Sequence, residues 1–139
     1  MSPVTGGCRC GAVRFSLNAE PVAVRACWCR DCQYWGAGAA TVNAVFRKAA
    51  LSVQGDVRAY ESLADSGAVM HRSFCPVCGT PLFSESSGRP DAIVVRAGAL
   101  DHPGAAPPTS AIWMASAPAW ACTLADLPSI PGQPGAVPV

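Results

Sequence analysis

The sequence predicts a small, mostly antiparallel β domain, and three observations support this fold class. Short stretches in which apolar and polar residues alternate recur along the chain, and a period of two is typical of half-buried strands. Thirteen glycines and thirteen prolines make turns frequent and long helices scarce. Seven of the eight cysteines fall into three tight groups, which favours metal cross-links between loops as a source of stability.

The first half of the chain contains three predicted strands. Residues 12–17 alternate, with Val13, Phe15 and Leu17 on one face, and a turn follows at residues 18–21. Residues 22–27 form a second, valine-rich strand that ends in the second cysteine group. Residues 33–40 are predicted as a loop because they are rich in glycine. The third strand covers residues 41–46.

The second half is predicted to add two hairpins and two further strands. Residues 51–53 and 57–60 are interpreted as a hairpin with a glycine turn between them. Residues 69–74 and 82–84 form a second hairpin around the third cysteine group. Residues 92–98 are the most apolar run and predict a buried strand, and residues 112–114 return to the sheet.

Length and composition predict one domain over residues 1–126, followed by a poorly ordered tail at 127–139. The chain has 139 residues, and the tail contains four prolines, two glycines and no charge. The formal net charge of +1 gives no electrostatic indication of nucleic-acid binding. The N-terminus lacks a secretory pattern and no apolar run approaches the ~20 residues that span a bilayer. We therefore expect a cytoplasmic protein without membrane association, in which thiols bind metal rather than form disulfides.

The cysteine spacing predicts two zinc ions per chain, one structural and one catalytic. A structural zinc takes four ligands, usually from two short pairs, and the two glycine-flanked pairs are the best match. The remaining triple supplies three thiolates and leaves the fourth position open, as in catalytic zinc sites. The predicted structural ligands are Cys8, Cys10, Cys75 and Cys78, and the predicted catalytic ligands are Cys27, Cys29 and Cys32.

Three alternatives to the open catalytic site stay open at this point. His71 or Cys122 could complete the triple and make a second inert zinc site, although a lone histidine on a strand is more often not a ligand. Cys122 lies in an apolar run and is predicted to be a buried, inert thiol. A redox switch that uses the CxxC pair is the third alternative.

Five segments, taken in order, resemble the glutathione-dependent formaldehyde-activating enzyme family, which includes centromere protein V domains. They are GGCRCGAVRF, CWCRDC, SFCPVCGTPLF, GALD and IWMASAPAW, and together they cover roughly residues 6–121. The resemblance implies a β-tent fold of two small sheets with cysteine knuckles, and it implies the same division of the cysteines between two zinc ions. Trp28, Gln33 and Ala111 stand where the family commonly has histidine, arginine and histidine, which predicts a less basic pocket.

The resemblance implies a zinc-dependent carbon–sulfur lyase or synthase that forms or cleaves a thiol–aldehyde adduct such as S-hydroxymethylglutathione. Three thiolates donate much charge to zinc, which favours sulfur chemistry over activation of water. The alternatives are a zinc lyase or hydrolase acting on another small electrophile, and a non-catalytic zinc β module for protein interaction. The expected partner is a small-molecule substrate such as glutathione, and a homodimer stays open.

Aromatic and basic residues near the cysteines are candidates for substrate contacts, because aromatic side chains commonly form the walls of small-molecule pockets. Four other arginines could bind a carboxylate in bidentate fashion or could simply face solvent on their strands. The substrate-binding candidates are Trp28, Arg30, Tyr34, Trp35 and Trp113, with Trp120 nearby, and the four other arginines are Arg14, Arg25, Arg72 and Arg96.

Overall fold

The computed structural model describes residues 2–136 and 138, so that Met1 of the predicted domain and Val137 and Val139 of the predicted tail lie outside it. The strands in chain order are β1 Val4–Gly7, β2 Arg14–Leu17, β3 Ala23–Cys27, β4 Thr41–Arg47, β5 Leu51–Gln54, β6 Arg58–Leu63, β7 Val69–Phe74, β8 Pro81–Ser86, β9 Ala92–Arg96 and β10 Ser110–Ile112. The α-helix is α1 Arg30–Trp35, and 3-10 helices cover Lys48–Ala50, Ala97–Ala99, Pro103–Ala105, Met114–Ser116 and Ala119–Asp126.

The strands form two sheets, which confirms the predicted mostly β fold. The smaller sheet has the order β1-β2-β5, and all of its pairs are antiparallel. The larger sheet has the order β10-β3-β4-β9-β8-β7-β6. One pair in it departs from the antiparallel prediction, because the short β10 runs parallel to β3.

The hydrophobic core lies between the two sheets. The predicted apolar face of β2 is buried, and Phe15 packs edge-on against Phe83 of β8 with ring centroids 5.2 Å apart. Val13 and Leu17 have no exposed surface, and neither does Leu82 on the facing sheet. Each Å² of apolar surface buried between the sheets stabilises the fold by about 25 cal/mol.

The predicted hairpin over residues 51–60 is wrong. β5 pairs with β2 in the smaller sheet, whereas β6 pairs with β7 in the larger one. The chain changes sheet at Gly55, whose φ is +98° and where a Cβ would lie 2.2 Å from the Ala12 carbonyl oxygen. Local alternation predicts each strand but not its partner, because pairing depends on which sheet buries its apolar face.

Three local predictions are also corrected. Residues 33–35 belong to α1 rather than to a loop, because the helix begins inside the second cysteine group. β1 has no sequence signal of its own, yet Gly6 pairs with Phe15, and a Cβ there would lie 2.3 Å from the Phe15 ring. The last strand ends at Ile112, since Trp113 adopts a left-handed φ of 58° and cannot continue it.

Candidate metal centres

The first cysteine cluster joins the two glycine-flanked pairs. The Sγ atoms of its members all lie within 4.8 Å of one another, and the members are Cys8, Cys10, Cys75 and Cys78. The Sγ atom of Cys10 lies 3.5 Å from that of Cys8 and 3.8 Å from that of Cys75. Sulfurs at the corners of a zinc tetrahedron are separated by about 3.8 Å when each Zn–S bond is about 2.3 Å. The donor set and spacing therefore fit zinc.

The two pairs form similar backbone turns, and glycine makes each turn feasible. The Cys8 N–H donates to the Val13 carbonyl at 3.0 Å, and the Cys75 N–H donates to the Thr80 carbonyl at 3.0 Å, so that each pair is closed by a bond over five residues. Gly11 and Gly79 follow the second cysteine of each pair with φ of 83° and 77°. This left-handed conformation is open to glycine without strain.

Polar groups beside the first cluster favour thiolate at one of its members. The Sγ atom of Cys78 lies 3.1 Å from the Thr80 hydroxyl. Hydrogen bonds from the Thr80 side chain and backbone lower the pKa of the Cys78 thiol to about 5. A thiol that loses its proton readily is suited to metal ligation, because the thiolate is the ligand.

The second cluster is built where β3 meets α1. Cys27 is the last residue of β3, Cys29 caps the N-terminus of α1, and Cys32 lies in its first turn. The Cys32 N–H donates to the Cys29 Sγ atom at 3.2 Å, so that the helix start holds the two sulfurs together. The three Sγ atoms lie within 4.8 Å of one another, which fits three corners of a zinc tetrahedron.

No fourth metal-binding side chain joins this triple among residues 2–136 and 138. His71 contacts the Glu61 carboxylate at 2.9 Å on the exposed face of β6 and β7. Cys122 is exposed on the last 3-10 helix, so the prediction that it is buried is wrong. The described structure therefore offers three candidate metal ligands at this cluster, against four at the first.

The environment of the triple favours a thiolate at Cys32. A hydrogen bond with Cys27, together with the Thr41 hydroxyl and the Arg96 charge, lowers the pKa of the Cys32 thiol to about 5 against the effect of burial. The same hydrogen bond raises the pKa of the Cys27 thiol, and burial raises it as well. Cys32 is therefore the member of the triple that loses its proton first.

A cavity of about 430 Å³ opens beside Cys29, and a second of about 500 Å³ adjoins it. Asp31 and Arg72 line both cavities, so the two lie side by side along α1, and we call them together the groove. The first cavity is lined by Cys29, Arg30, Asp31, Ala64, Asp65, Ser66, Met70, Arg72, Trp113 and Ser116. Cys29 is half-buried and is the cysteine of the triple that reaches this space.

A comparison with protein-family models finds one match. The model described as "Glutathione-dependent formaldehyde-activating enzyme" covers residues 3–116, and both cysteine clusters fall within that range. The chain belongs to this family.

Two further comparisons, with solved structures and with curated proteins, were made for this member of the formaldehyde-activating family. A crystal structure of a Rhodobacter sphaeroides protein superimposes with a TM-score of 0.60 and 22% sequence identity, and the match covers 77% of this chain and 98% of that chain. At this identity the likeness shows the fold alone. No curated protein gives a significant match.

No helix in the described residues is long and apolar enough to cross a membrane.

The five predicted substrate-binding residues occupy three different places in this family member. Arg30 and Trp113 line the cavity beside Cys29. Tyr34 and Trp35 line the adjoining cavity. Trp28 is buried and packs edge-on against Trp120 at 6.2 Å, and it does not line either of these two cavities.

Two arginines whose placement the sequence left undecided are buried in the larger sheet. Arg72 and Arg96 are each only 7% exposed, whereas their strands could equally have placed them in solvent. Arg72 shares the alternating face of Met70 and Phe74 on β7, and this register was the signal for its burial. Arg14, by contrast, forms a surface ion pair with Asp101.

Gln33 connects the helix to the segment that carries Trp113. Its side-chain nitrogen donates to the Trp28 carbonyl at 2.8 Å and to the Ser116 carbonyl at 3.0 Å. Its side-chain oxygen accepts from Arg30 at 2.5 Å. The residue that stands where the family commonly has arginine is thus a buried link between the metal centre and the cavity wall.

Proposed function

We propose that the chain is a zinc-dependent carbon–sulfur lyase that forms or cleaves a thiol–aldehyde adduct. The reaction joins a thiol and formaldehyde to give an S-hydroxymethyl thiol, with every atom of both reactants retained, and the lyase direction reverses it. One observation carries this proposal: three cysteine sulfurs converge beside a cavity, and no fourth metal-binding side chain completes them among the described residues.

The two clusters would have different roles. Cys8, Cys10, Cys75 and Cys78 would hold a structural zinc ion, and Cys27, Cys29 and Cys32 would hold the catalytic one. When bound at the triple, zinc would supply a Lewis acid that lowers the pKa of an incoming thiol and keeps it as a nucleophile. The cavity beside Cys29 would hold the thiol with its sulfur towards the triple.

Arg72 is the best candidate to bind the carboxylate of a glutathione-type thiol. Its guanidinium stacks on Trp35 with 4.8 Å to the ring centroid and donates to the Ser62 hydroxyl at 2.7 Å, so that its orientation is fixed. Its Nη2 atom forms a long ion pair with the Asp31 carboxylate at 3.5 Å, and because the Asp31 side chain is 59% exposed, a substrate carboxylate would compete with it for this donor. A fixed, buried arginine with donors towards a groove suits bidentate binding of a carboxylate.

Trp113 would form the outer wall of the substrate cavity. It is 57% exposed, lines the cavity that Cys29 reaches, and has a left-handed backbone that is rare for a bulky residue. Such strain persists only where the surroundings maintain it, and it is frequent at binding sites. The link from Gln33 to Ser116 maintains the position of this segment.

Metal content and thiol binding test the proposal together. We expect wild-type protein to hold two metal ions per chain, and Cys29→Ser to hold one. With cobalt in place of zinc, 2-mercaptoethanol should add a sulfur-to-metal charge-transfer band in wild type and not in Cys29→Ser. Cys122→Ser is the matched control, because this exposed cysteine belongs to neither cluster. Retention of both ions and of the thiol band in Cys29→Ser would refute the catalytic assignment.

Turnover is measured separately with ¹³C-formaldehyde and glutathione by NMR, where catalysed exchange between free formaldehyde and the S-hydroxymethyl adduct is expected. Thiol binding without exchange would favour a lyase or hydrolase that acts on another electrophile. A cytoplasmic location is part of this proposal, which is compatible with either a monomer or a homodimer.

A non-catalytic zinc module for protein interaction is the second candidate. Exposed apolar side chains on the C-terminal segment favour it, and they are Trp120, Leu124, Leu127 and Ile130. It predicts one metal ion per chain or a second ion with no exchangeable ligand, which the metal and thiol measurements distinguish from the enzyme.

A further inference from the structure

Arg96 is a buried cation without a carboxylate partner. It is 7% exposed at the end of β9, and no Asp or Glu side chain among the described residues pairs with it. Its Nη1 atom donates to the Asn43 side-chain oxygen at 2.5 Å and to the Thr41 hydroxyl at 3.4 Å. A buried charge that only neutral groups contact requires a compensating charge nearby.

The three-cysteine cluster is the source of that compensation. Thr41, whose hydroxyl accepts from Arg96, is paired with Cys27 across β3 and β4, and the Cys27 sulfur lies within 4.8 Å of the other two sulfurs of the cluster. Asn43 lies opposite Arg96 in the β4–β9 register and so sets the position of the guanidinium. The thiolate charge of the cluster therefore lies one hydrogen-bonded residue away from Arg96, on the Thr41 side.

Arg96 does not line the cavity beside Cys29. It lines a different cavity, of about 340 Å³, together with Trp35, Thr41 and Thr80. Arg96 therefore acts on the cluster from the Thr41 side and does not contact a substrate in the proposed cavity.

The net charge of a zinc ion bound at this cluster depends on its fourth ligand. Three thiolates around Zn²⁺ carry a net charge of −1, and a fourth, anionic ligand raises it to −2, whereas a neutral ligand leaves it at −1. In a partly desolvated site the second negative charge is disfavoured unless a positive charge lies close.

We propose that Arg96 is a positioning residue whose buried positive charge allows the three-cysteine centre to accept an anionic fourth ligand. This inference rests on the proposed metal site. It predicts that the centre prefers anions over neutral ligands of similar size, and that this preference depends on Arg96.

The test uses the full-length protein loaded with cobalt and three probes: azide, 2-mercaptoethanol and imidazole, followed by visible absorption. An opposite charge within about 4–6 Å changes the stability of a charged form by 1–3 pKa units, which corresponds to tenfold or more in affinity. Arg96→Gln should therefore weaken azide and thiol binding by about tenfold and leave imidazole binding within about twofold. Arg96→Lys, which keeps the charge, should retain most of the anion affinity.

Asn43→Asp provides a second variant that keeps the arginine in place. It is nearly isosteric and would pair the Nη1 atom with a carboxylate, so that the charge of Arg96 is cancelled and its packing is kept. The same loss of azide binding is expected. Arg47→Gln is the matched control, because Arg47 is exposed and lies six residues, or about 20 Å, beyond Thr41 along β4.

The outcomes separate this inference from the proposed function. If wild type binds azide but no thiol, the proposed function fails, and a loss of azide in Arg96→Gln and Asn43→Asp still supports the inference. If those variants bind azide as wild type does, or lose imidazole to the same extent, the inference is overturned while thiol binding by wild type stands. The inference would also be overturned if Arg96→Lys lost as much azide affinity as Arg96→Gln.

Discussion

Arg72 on β7 and Arg96 on β9 lie in the larger sheet with β8 between their strands, and both are buried. Arg96 faces the Thr41 side of the cluster, whereas Arg72 faces the groove that Cys29 reaches. The two positive charges would offset the thiolates on one side and bind the substrate carboxylate on the other. The positive charge near the cluster thus comes from two strand residues, Arg72 and Arg96. The positions of Trp28, Gln33 and Ala111 do not provide it.

Arg72→Gln is expected to weaken glutathione binding by at least tenfold and to leave 2-mercaptoethanol binding unchanged. A hydrogen bond to a charged group contributes about 1.5–3 kcal/mol. Glutathione would lose such a bond to Arg72, whereas 2-mercaptoethanol has no carboxylate and would lose none. The measurement is titration of the cobalt-loaded protein with each thiol, with the exposed Arg58→Gln as the matched control. An equal loss for both thiols would show that Arg72 supports the fold of the site and does not bind the carboxylate.

Asp101 is expected to make stability depend on acid pH. Hydrogen bonds from Arg14 and Thr5 lower the pKa of this carboxyl to about 2, below the value of about 3.9 that it has in an unfolded chain. A lowered folded-state pKa contributes stability above pH 4 that is lost as pH falls from about 4 to about 2. Urea unfolding of wild type and Asp101→Asn should therefore differ above pH 4 and converge near pH 2. Parallel curves over this range would contradict the assignment.

At the scale of elements, α1 is the connection between the metal centre and the cavity wall. This helix has only six residues, fewer than an isolated helix needs to be stable, so its contacts must hold it in place. Cys29 caps its start, and Gln33 attaches it to the Ser116 carbonyl in the segment that carries Trp113. The helix therefore fixes two sulfurs and one aromatic wall at the same time.

Gln33→Leu is expected to lower the free energy of unfolding by about 1–3 kcal/mol, because it leaves the buried Trp28 carbonyl without its donor. Tyr34→Phe, at an exposed position of the same helix, should change it little. Urea denaturation of the metal-loaded proteins measures both. Two variants with equal stability would show that α1 is held by its cysteines alone.

At the scale of the whole molecule, the four-cysteine cluster joins the two sheets. Cys8 and Cys10 lie between β1 and β2 of the smaller sheet, whereas Cys75 and Cys78 lie between β7 and β8 of the larger one. A metal ion there would cross-link residues more than sixty positions apart. Structural zinc contributes folding free energy directly, so this cluster would determine global stability.

Cys78→Ser is therefore expected to lower the free energy of unfolding by several kcal/mol, since zinc binding contributes about 10–16 kcal/mol in zinc-finger peptides. Cys29→Ser should change it much less, because its cluster lies within one sheet and its adjoining helix. Thermal unfolding with and without a chelator compares the two. A larger loss in Cys29→Ser than in Cys78→Ser would reverse the assigned roles of the clusters.

The amino-acid sequence alone determines the fold class, most of the strands, the grouping of the cysteines and the family resemblance, because alternation and short ligand spacings are local properties of the chain. Tertiary structure decided the partners of β5 and β6, the burial of Arg72 and Arg96, and the exposure of Cys122, because each depends on which distant segments pack together. Cys10 and Cys75, which are sixty-five positions apart in the sequence, illustrate this division. Spacing predicts that each is a ligand, but only the folding of two sheets brings their sulfurs within 3.8 Å.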